Sequence, residues 1–388
     1  MRKTSFPGLI DGLEFIIRFL YPAGYPLLAQ FWVETRCNLK CEGCQTHEPV
    51  NASPALTLDE MKAVIISLRK MRVGLLILTG GEPFLNPHLS ELVSTARSTQ
   101  YPYSAIPVVT IISNGVGLLE MKDSERENVI KSLSGSGLTQ LSFSIDSLHW
   151  PDPKRRNSQL RAFINLSQSI ANCQIIPTIN WVLCSTDSCD EVIEASRQVI
   201  LSGNHFNLLL YSSVGGEFST RNDNLIPSKA QVTTLAEQLL RFKKSNYTPP
   251  FGTVANMVRE LRWMMNRYDP QRLWHCNGSN HPVMTIKPSR ASRSEPLKLG
   301  FCQEFSHPEV VGKVTLDKYR AIHKSSFSQN LRKNCRGCLC SSYIRLDQRM
   351  DSSLGFADFI HHVVVGAYLR GDRLGELTRK LLLRQTLK

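Results

Sequence analysis

Between residues 31 and 211 one pattern recurs along the chain: a short apolar run, a turn, then a stretch with helical periodicity. Thr57 and Glu60 form a T-x-x-E capping box, which opens a helix running to about Met71. Leu58, Met61, Ile65 and Leu68 share one of its faces. The run Leu75–Leu78 is short and fully apolar, as expected of a strand buried on both faces. Further strands are expected at Val108–Ile112, Leu141–Ile145, Ile175–Leu183 and Phe206–Tyr211, with helices near 88–99, 123–135, 157–172 and 189–202. With Phe31–Glu34 this makes six strands alternating with helices, an α/β array of parallel strands and right-handed crossovers.

Outside this array the pattern changes. Residues 226–269 read as helical, with Leu235, Leu239 and Leu240, then Met257, Leu261 and Met264, at apolar positions; Trp263 and the methionines read as core. Val283–Ile286 is strand-like and leads towards Leu299–Cys302, and Phe356–Leu369 and Leu374–Leu383 read as helices. The apolar stretch Leu9–Trp32 is interrupted by Asp11, Glu14, Arg18, Pro22 and Pro26, so no run reaches the ~20 apolar residues of a membrane span. It also lacks the cleavage site of a signal peptide and reads as an amphipathic helix with a lead-in to the first strand. The resulting division is 1–30 lead-in, 31–212 α/β array, 213–270 helical connection, 271–345 cysteine-rich extension and 346–388 basic helical tail.

At 388 residues, 42% hydrophobic and 20% charged, the composition is that of a globular protein. The net charge of +13 is uneven, because residues 287–388 carry 19 Lys/Arg against 9 Asp/Glu. A basic face attracts RNA, acidic lipid or acidic peptide, or is simply solvated. Without an RNA-binding motif the solvated reading comes first and nucleic acid is not an expected partner. The eleven cysteines are clustered, three at 37–44 and five between 276 and 340. Clustered cysteines without a secretory signal point to metal and to a reducing cytoplasm. Cys173, Cys184 and Cys189 fit no ligand spacing and read as small apolar residues, with a hydrogen-donor thiol at Cys184 or Cys189 as the alternative.

The most informative stretch is FWVETRCNLKCEGCQT, Phe31 to Thr46, which places Cys37, Cys41 and Cys44 in a C-x3-C-x2-C triplet directly after the first strand. A closed 4Fe–4S cube takes four Cys thiolates, so three leave one iron open. The triplet resembles that of the radical SAM superfamily. The resemblance implies a partial (β/α)6 TIM-like barrel in which S-adenosylmethionine (SAM) chelates the open iron. An electron from the cluster then cleaves SAM to methionine and a 5′-deoxyadenosyl radical, which abstracts hydrogen from the substrate. The alternative is a zinc knuckle with His47 as fourth ligand.

Further matches fall at strand ends, where β/α barrels build their sites. Gly80-Gly81-Glu82-Pro83 is similar to the family's GGEP motif, implying that its backbone and the Glu82 carboxylate hold the SAM amino group. Ser113-Asn114-Gly115 is similar to the SNG end and implies contact with the SAM carboxylate or ribose. Ser142 to Asp146 is similar to the SID end, which makes Ser144 and Asp146 candidates for ribose or substrate contact. Asn180 and Tyr211 are expected to face the same cavity.

The second cysteine group resembles a twitch extension, the truncated relative of the SPASM domain. The resemblance implies a second 4Fe–4S cluster on Cys276, Cys302, Cys335 and Cys338, with Cys340 as a substitute partner. Cys276 and Cys302 are 26 positions apart, longer than the family's spacing. A structural zinc site is the alternative there. The chain is thus expected to be a SAM-cleaving enzyme served by a reductant such as flavodoxin or ferredoxin. Its substrate is expected to be a peptide, with a small metabolite such as a sugar or aminocyclitol as runner-up. Residues 1–30 hold no winged-helix module for capturing a leader peptide, which weakens the peptide reading. A non-catalytic metal protein contacting RNA is the reading from another class.

Overall fold

In the computed structural model the described residues are 28–42, 56–98, 108–211, 222–245, 283–288, 297–300, 306–311 and 314–324, with Pro26, Cys44, Gln100, Tyr103, Ala105 and Ile106 between them. The strands are β1 Leu28–Glu34, β2 Leu75–Gly80, β3 Val108–Ser113, β4 Gln140–Ser144, β5 Ile176–Leu183 and β6 His205–Leu210. Helices α1 Leu58–Lys70, α2 Leu89–Arg97, α3 Asp123–Ser136, α4 Pro153–Asn172 and α5 Cys189–Leu201 connect them, and α6 Lys229–Ser245 follows. The Thr57–Glu60 box closes in both directions: Glu60 N donates to Thr57 Oγ1 at 3.3 Å, and Thr57 N donates to Glu60 Oε2 at 2.7 Å. One acceptor for each orphan donor fixes where α1 starts.

Strands β1 to β6 are all parallel and lie in chain order, as the alternation requires. The sheet does not stop at six. β7 Val283–Pro288 pairs in parallel with the other edge of β1, and β8 Leu297–Gly300 and β9 Ser306–Val311 continue it antiparallel. The order is β6-β5-β4-β3-β2-β1-β7-β8-β9, an open sheet with seven parallel strands. A short apolar run such as Val283–Ile286 does not say which edge it will cover; the unpaired edge of β1 decides it.

Alternation along the strands separates two faces. Phe31, Leu76, Leu78, Val109, Ile111, Leu141, Phe143, Ile179, Trp181, Phe206 and Leu208 form the core packed under the helices. The opposite face carries a polar lane: Thr110 Oγ1 donates to Gln140 Oε1 at 3.2 Å, and Gln140 Nε2 donates to Thr178 Oγ1 at 2.8 Å. Leu75–Leu78 therefore departs from expectation, because Leu76 and Leu78 are buried while Leu75 and Ile77 are only partly so. Leu75 and Ile77 share the face that carries Thr110 and Gln140.

Cys173, Cys184 and Cys189 are free thiols, and Cys173 and Cys189 pack against the main core. Cys184, fully buried, forms a separate small cluster with Tyr211 and Leu225. Among the described residues no helix is long and apolar enough to cross a membrane. The lead-in up to Tyr25, the stretch after Ser245 that includes Met257–Met264, the cysteines from Cys276 to Cys340 and the tail beyond Lys324 lie outside the described residues.

Two glycines set the tightest packing. A Cβ on Gly80, whose φ is +138°, would sit 2.0 Å from Glu34 O, and one on Gly81 would sit 2.1 Å from Arg36 O. In contrast, Gly135 in α3 has nothing within 4 Å of such an atom. Gly81→Ala should destabilise the protein by about 3 kcal/mol or more, an overpacking against backbone that cannot yield. Gly135→Ala should instead stabilise it by about 0.5–1 kcal/mol. Urea unfolding of both variants checks the contrast, and equal effects would contradict this packing.

Candidate active site at the carboxyl ends of the strands

The site begins where β1 ends. Glu34 is nearly buried and turns its carboxylate back on the following residues: Oε1 accepts from Thr35 N at 2.9 Å and Arg36 N at 3.0 Å. Arg36 Nη2 donates to Oε2 at 2.9 Å. Burial opposes the charge, but the hydrogen bonds and the guanidinium hold this carboxyl below its usual range. Beyond it, Gly81 N donates to Glu34 O at 2.9 Å and Glu82 N to Arg36 O at 2.8 Å. The β1–β2 ladder thus runs on to the residue before Cys37. The glycines of the GGEP stretch make room for the cysteine-bearing backbone itself.

Cys37, Cys41 and Cys44 all lie on this loop and are all partly exposed. Cys44 N donates to Cys41 O at 3.3 Å, and Leu39 N points to Cys37 Sγ at 3.5 Å. Asn114, at the end of β3, reaches across: its Nδ2 lies 2.7 Å from Asn38 Oδ1 and 3.7 Å from Cys37 Sγ. Burial, then neighbouring negative groups including the other triplet thiols, pushes the Cys37 and Cys41 thiols up. Metal binding takes thiolates, so loading this loop releases protons. Among the described residues no three Cys, His, Asp or Glu converge on a single-ion site. Cube ligands bind separate irons and need not converge, so the donor chemistry of this loop fits a cluster. His47, the knuckle's fourth ligand, lies outside the described residues.

Two carboxylates expected to meet a ligand are buried and accept from neighbouring strand ends. Glu82 has no exposed surface. Its Oε1 accepts from Phe84 N at 2.9 Å and Ser113 Oγ at 2.8 Å, and its Oε2 accepts from Asn114 N at 2.8 Å. It fastens the end of β2 to the end of β3. Pro83 starts a short 3₁₀ turn and is buried. Asp146 is likewise unexposed: Oδ1 accepts from Leu148 N and His149 N, both at 3.0 Å, and Oδ2 from Val182 N at 3.2 Å. It joins β4 to β5. The reason is the same for both: a buried carboxylate is retained when backbone donors satisfy it. Ser113 is occupied between Glu82 and Gly115 N, and Ser144 is nearly buried. Asn180 Oδ1 accepts from Asn207 Nδ2 at 3.0 Å, and Tyr211 packs with Cys184 rather than with the thiol loop.

The sequence reading missed His149. Its Nδ1 lies 2.7 Å from Asp146 Oδ1. The signal was its position three residues after Asp146, in a loop that follows a strand end. Asn38 and Arg36, which fasten the thiol loop, were also missed.

An open parallel α/β sheet with a triple-thiol loop at its strand ends is the architecture of a partial β/α barrel. Residues 34–165 match the family model of the radical SAM superfamily, and the chain resembles enzymes of that superfamily. It is similar to GTP 3′,8-cyclase of Mycolicibacterium smegmatis, 26% identical over 259 residues, covering 65% of this chain and 63% of that one. It is also similar to GTP 3′,8-cyclase 1 of Mycobacterium tuberculosis, 28% identical over 330 residues, 78% of this chain and 84% of that one. The chain thus spans less than two thirds of the M. smegmatis relative, and only 39% of GTP 3′,8-cyclase of Desulforamulus reducens. Among solved structures it resembles Streptococcus suis SuiB, with a TM-score of 0.54 at 14% identity, covering 90% of this chain and 81% of that one. It resembles anSMEcpe with bound AdoMet at a TM-score of 0.51 and 16% identity, over 91% of this chain and all of that one. Identities this low show a shared fold.

Asn114→Asp keeps the oxygen that accepts from Val116 N and removes the donor to Asn38. It should lower iron incorporated per chain by about half or more, at a stability cost of about 1–3 kcal/mol. Iron analysis after reconstitution, beside urea unfolding, tests it; unchanged iron would show that the tether does not organise the loop.

Proposed function

We propose that Cys37, Cys41 and Cys44 hold a 4Fe–4S cluster to which SAM binds, and that the enzyme acts on a small polar metabolite of nucleotide type. The observation that carries the first part is the single loop bearing three thiols, fixed to β2 through Gly81 and Glu82 and to β3 through Asn114. When bound, the cluster supplies the electron for reductive SAM cleavage and hydrogen abstraction. The protein's own part is to fix the loop: the Glu34–Arg36 pair stiffens its start, and Asn114 holds its first thiol. Backbone of the Gly80–Pro83 stretch, with Asn114 and the end of β4 at Ser144, forms the wall on which SAM is expected to lie. Glu82, Ser113 and Asp146 serve as joints behind that wall.

The name shared by the relatives, GTP 3′,8-cyclase, favours a small phosphate-bearing substrate over a peptide. A peptide is the second reading. The SuiB fold is solved with its precursor peptide, but at 14% identity that likeness carries the fold alone. We further propose that Cys276, Cys302, Cys335 and Cys338, or Cys340, hold a second cluster, and that a flavodoxin or ferredoxin in a reducing cytoplasm supplies electrons.

Anaerobically reconstituted protein with SAM and dithionite should yield 5′-deoxyadenosine by mass spectrometry, and Cys37→Ala should abolish it. Retained turnover in that variant would sink the assignment. Iron and sulfide surviving in a Cys37/Cys41/Cys44→Ala protein support the second cluster; zinc alone refutes it.

A further inference from the structure

The loop after β4 is tied down on every side. Trp150 N donates to Asp146 O at 2.9 Å, Trp150 Nε1 to Ser144 O at 3.3 Å, and Arg156 Nη1 to Trp150 O at 2.6 Å. Arg156 is itself buried and paired with Glu191 of α5. Inside this turn Asp146 accepts three backbone donors, two from the loop and one from Val182 of β5. The His149 ring is therefore docked on a carboxylate that cannot move.

That docking fixes the chemistry of the ring. Nδ1 beside Asp146 carries its proton towards the carboxylate, which leaves Nε2 as the free end. Nε2 has no hydrogen-bond partner among the described residues, and the side chain keeps 22% exposure. Burial works against a charge here, but Asp146, by charge and hydrogen bond, and Glu82, by charge, raise the imidazole pKa above its ordinary value. Two unexposed carboxylates at the ends of β2 and β4 thus favour the protonated form of one ring.

The placement is as informative as the charge. Asn114 fastens the thiol loop over the β1–β3 side of the sheet, whereas His149 is fastened to β4 and β5. Glu82, at the end of β2, acts electrostatically on both Cys37 and the His149 ring, so the ring stands at the same strand ends as the thiol loop.

We propose that His149 is a substrate-contacting residue whose Nε2–H donates to a phosphate oxygen of the small-molecule substrate. This rests on the reading of the chain as a radical SAM enzyme with a phosphate-bearing substrate. A charge-assisted hydrogen bond is worth about 1.5–3 kcal/mol, which corresponds to a loss of roughly tenfold or more in affinity when it is removed. Asp146 is then a positioning residue that presents the ring.

The test uses the reconstituted holoprotein in equilibrium dialysis with GTP and with inorganic pyrophosphate, and separately with SAM. His149→Gln should weaken both phosphate probes about tenfold or more while leaving iron content and SAM affinity within about twofold. His149→Arg, which restores a cationic donor, should recover most of that loss, a rescue that a merely structural role does not give. The proposal is overturned if neither probe binds the wild type saturably, if His149→Gln binds as the wild type does, or if SAM affinity falls with the phosphates. A wild type that assembles no cluster and cleaves no SAM would instead defeat the enzyme reading itself, and so the two failures are told apart.

Discussion

The contact on which the rest of the site depends is between two backbones. The end of β1 runs past Gly80 and Gly81 closely enough that any side chain there would meet a carbonyl at about van der Waals overlap. That proximity lets Glu34 O and Arg36 O accept from Gly81 and Glu82. The ladder therefore does not fray where the strand ends, and the first thiol emerges from paired backbone. A thiol loop gains from such support because burial and neighbouring negative groups make Cys37 and Cys41 resist ionisation. Rigid presentation of the first ligand offsets part of that cost.

A second layer of order comes from carboxylates used as joints. Glu34, Glu82 and Asp146 sit at the ends of β1, β2 and β4, and each satisfies main-chain donors that the strand ladders no longer serve. Strand ends in an open parallel sheet leave such groups exposed to desolvation without partners, a cost of about 1–3 kcal/mol each. One carboxylate answering two or three donors removes it. The carboxylates stay inside the wall, and two of them favour the protonated form of the His149 ring.

How much of this was legible in the sequence differs by level. The six strand–helix units were readable because apolar runs and helical faces obey fixed periods, and the Thr57–Glu60 box was readable because its chemistry is local. The triplet and the GGEP, SNG and SID ends were readable as motifs. What the motif residues touch was not. Glu82 and Asp146 stand in motifs as single residues, and only the fold shows that both also accept from neighbouring strand ends. Partners at separations such as Glu82 to Asn114, or Asp146 to Val182, have no signature in a single sequence. Nor did the periodicity of Val283–Ile286 disclose that β7 would cover the free edge of β1.

The face that carries Thr110 and Gln140 adds a constraint on what can bind. A closed β/α barrel fills its interior with layers of branched apolar side chains. Here the corresponding face carries Thr110, Gln140, Thr178, Asn180 and Asn207, hydrogen-bonded to one another across neighbouring strands. A lane of amides and hydroxyls offers little to an apolar ligand, because entering it would strip those groups of partners without replacing them. A ligand rich in donors and acceptors exchanges hydrogen bonds with the lane at small net cost. Opening the sheet therefore does more than admit a ligand. It converts several of what would be packing positions into polar ones, with Leu75 and Ile77 as apolar neighbours on the same face.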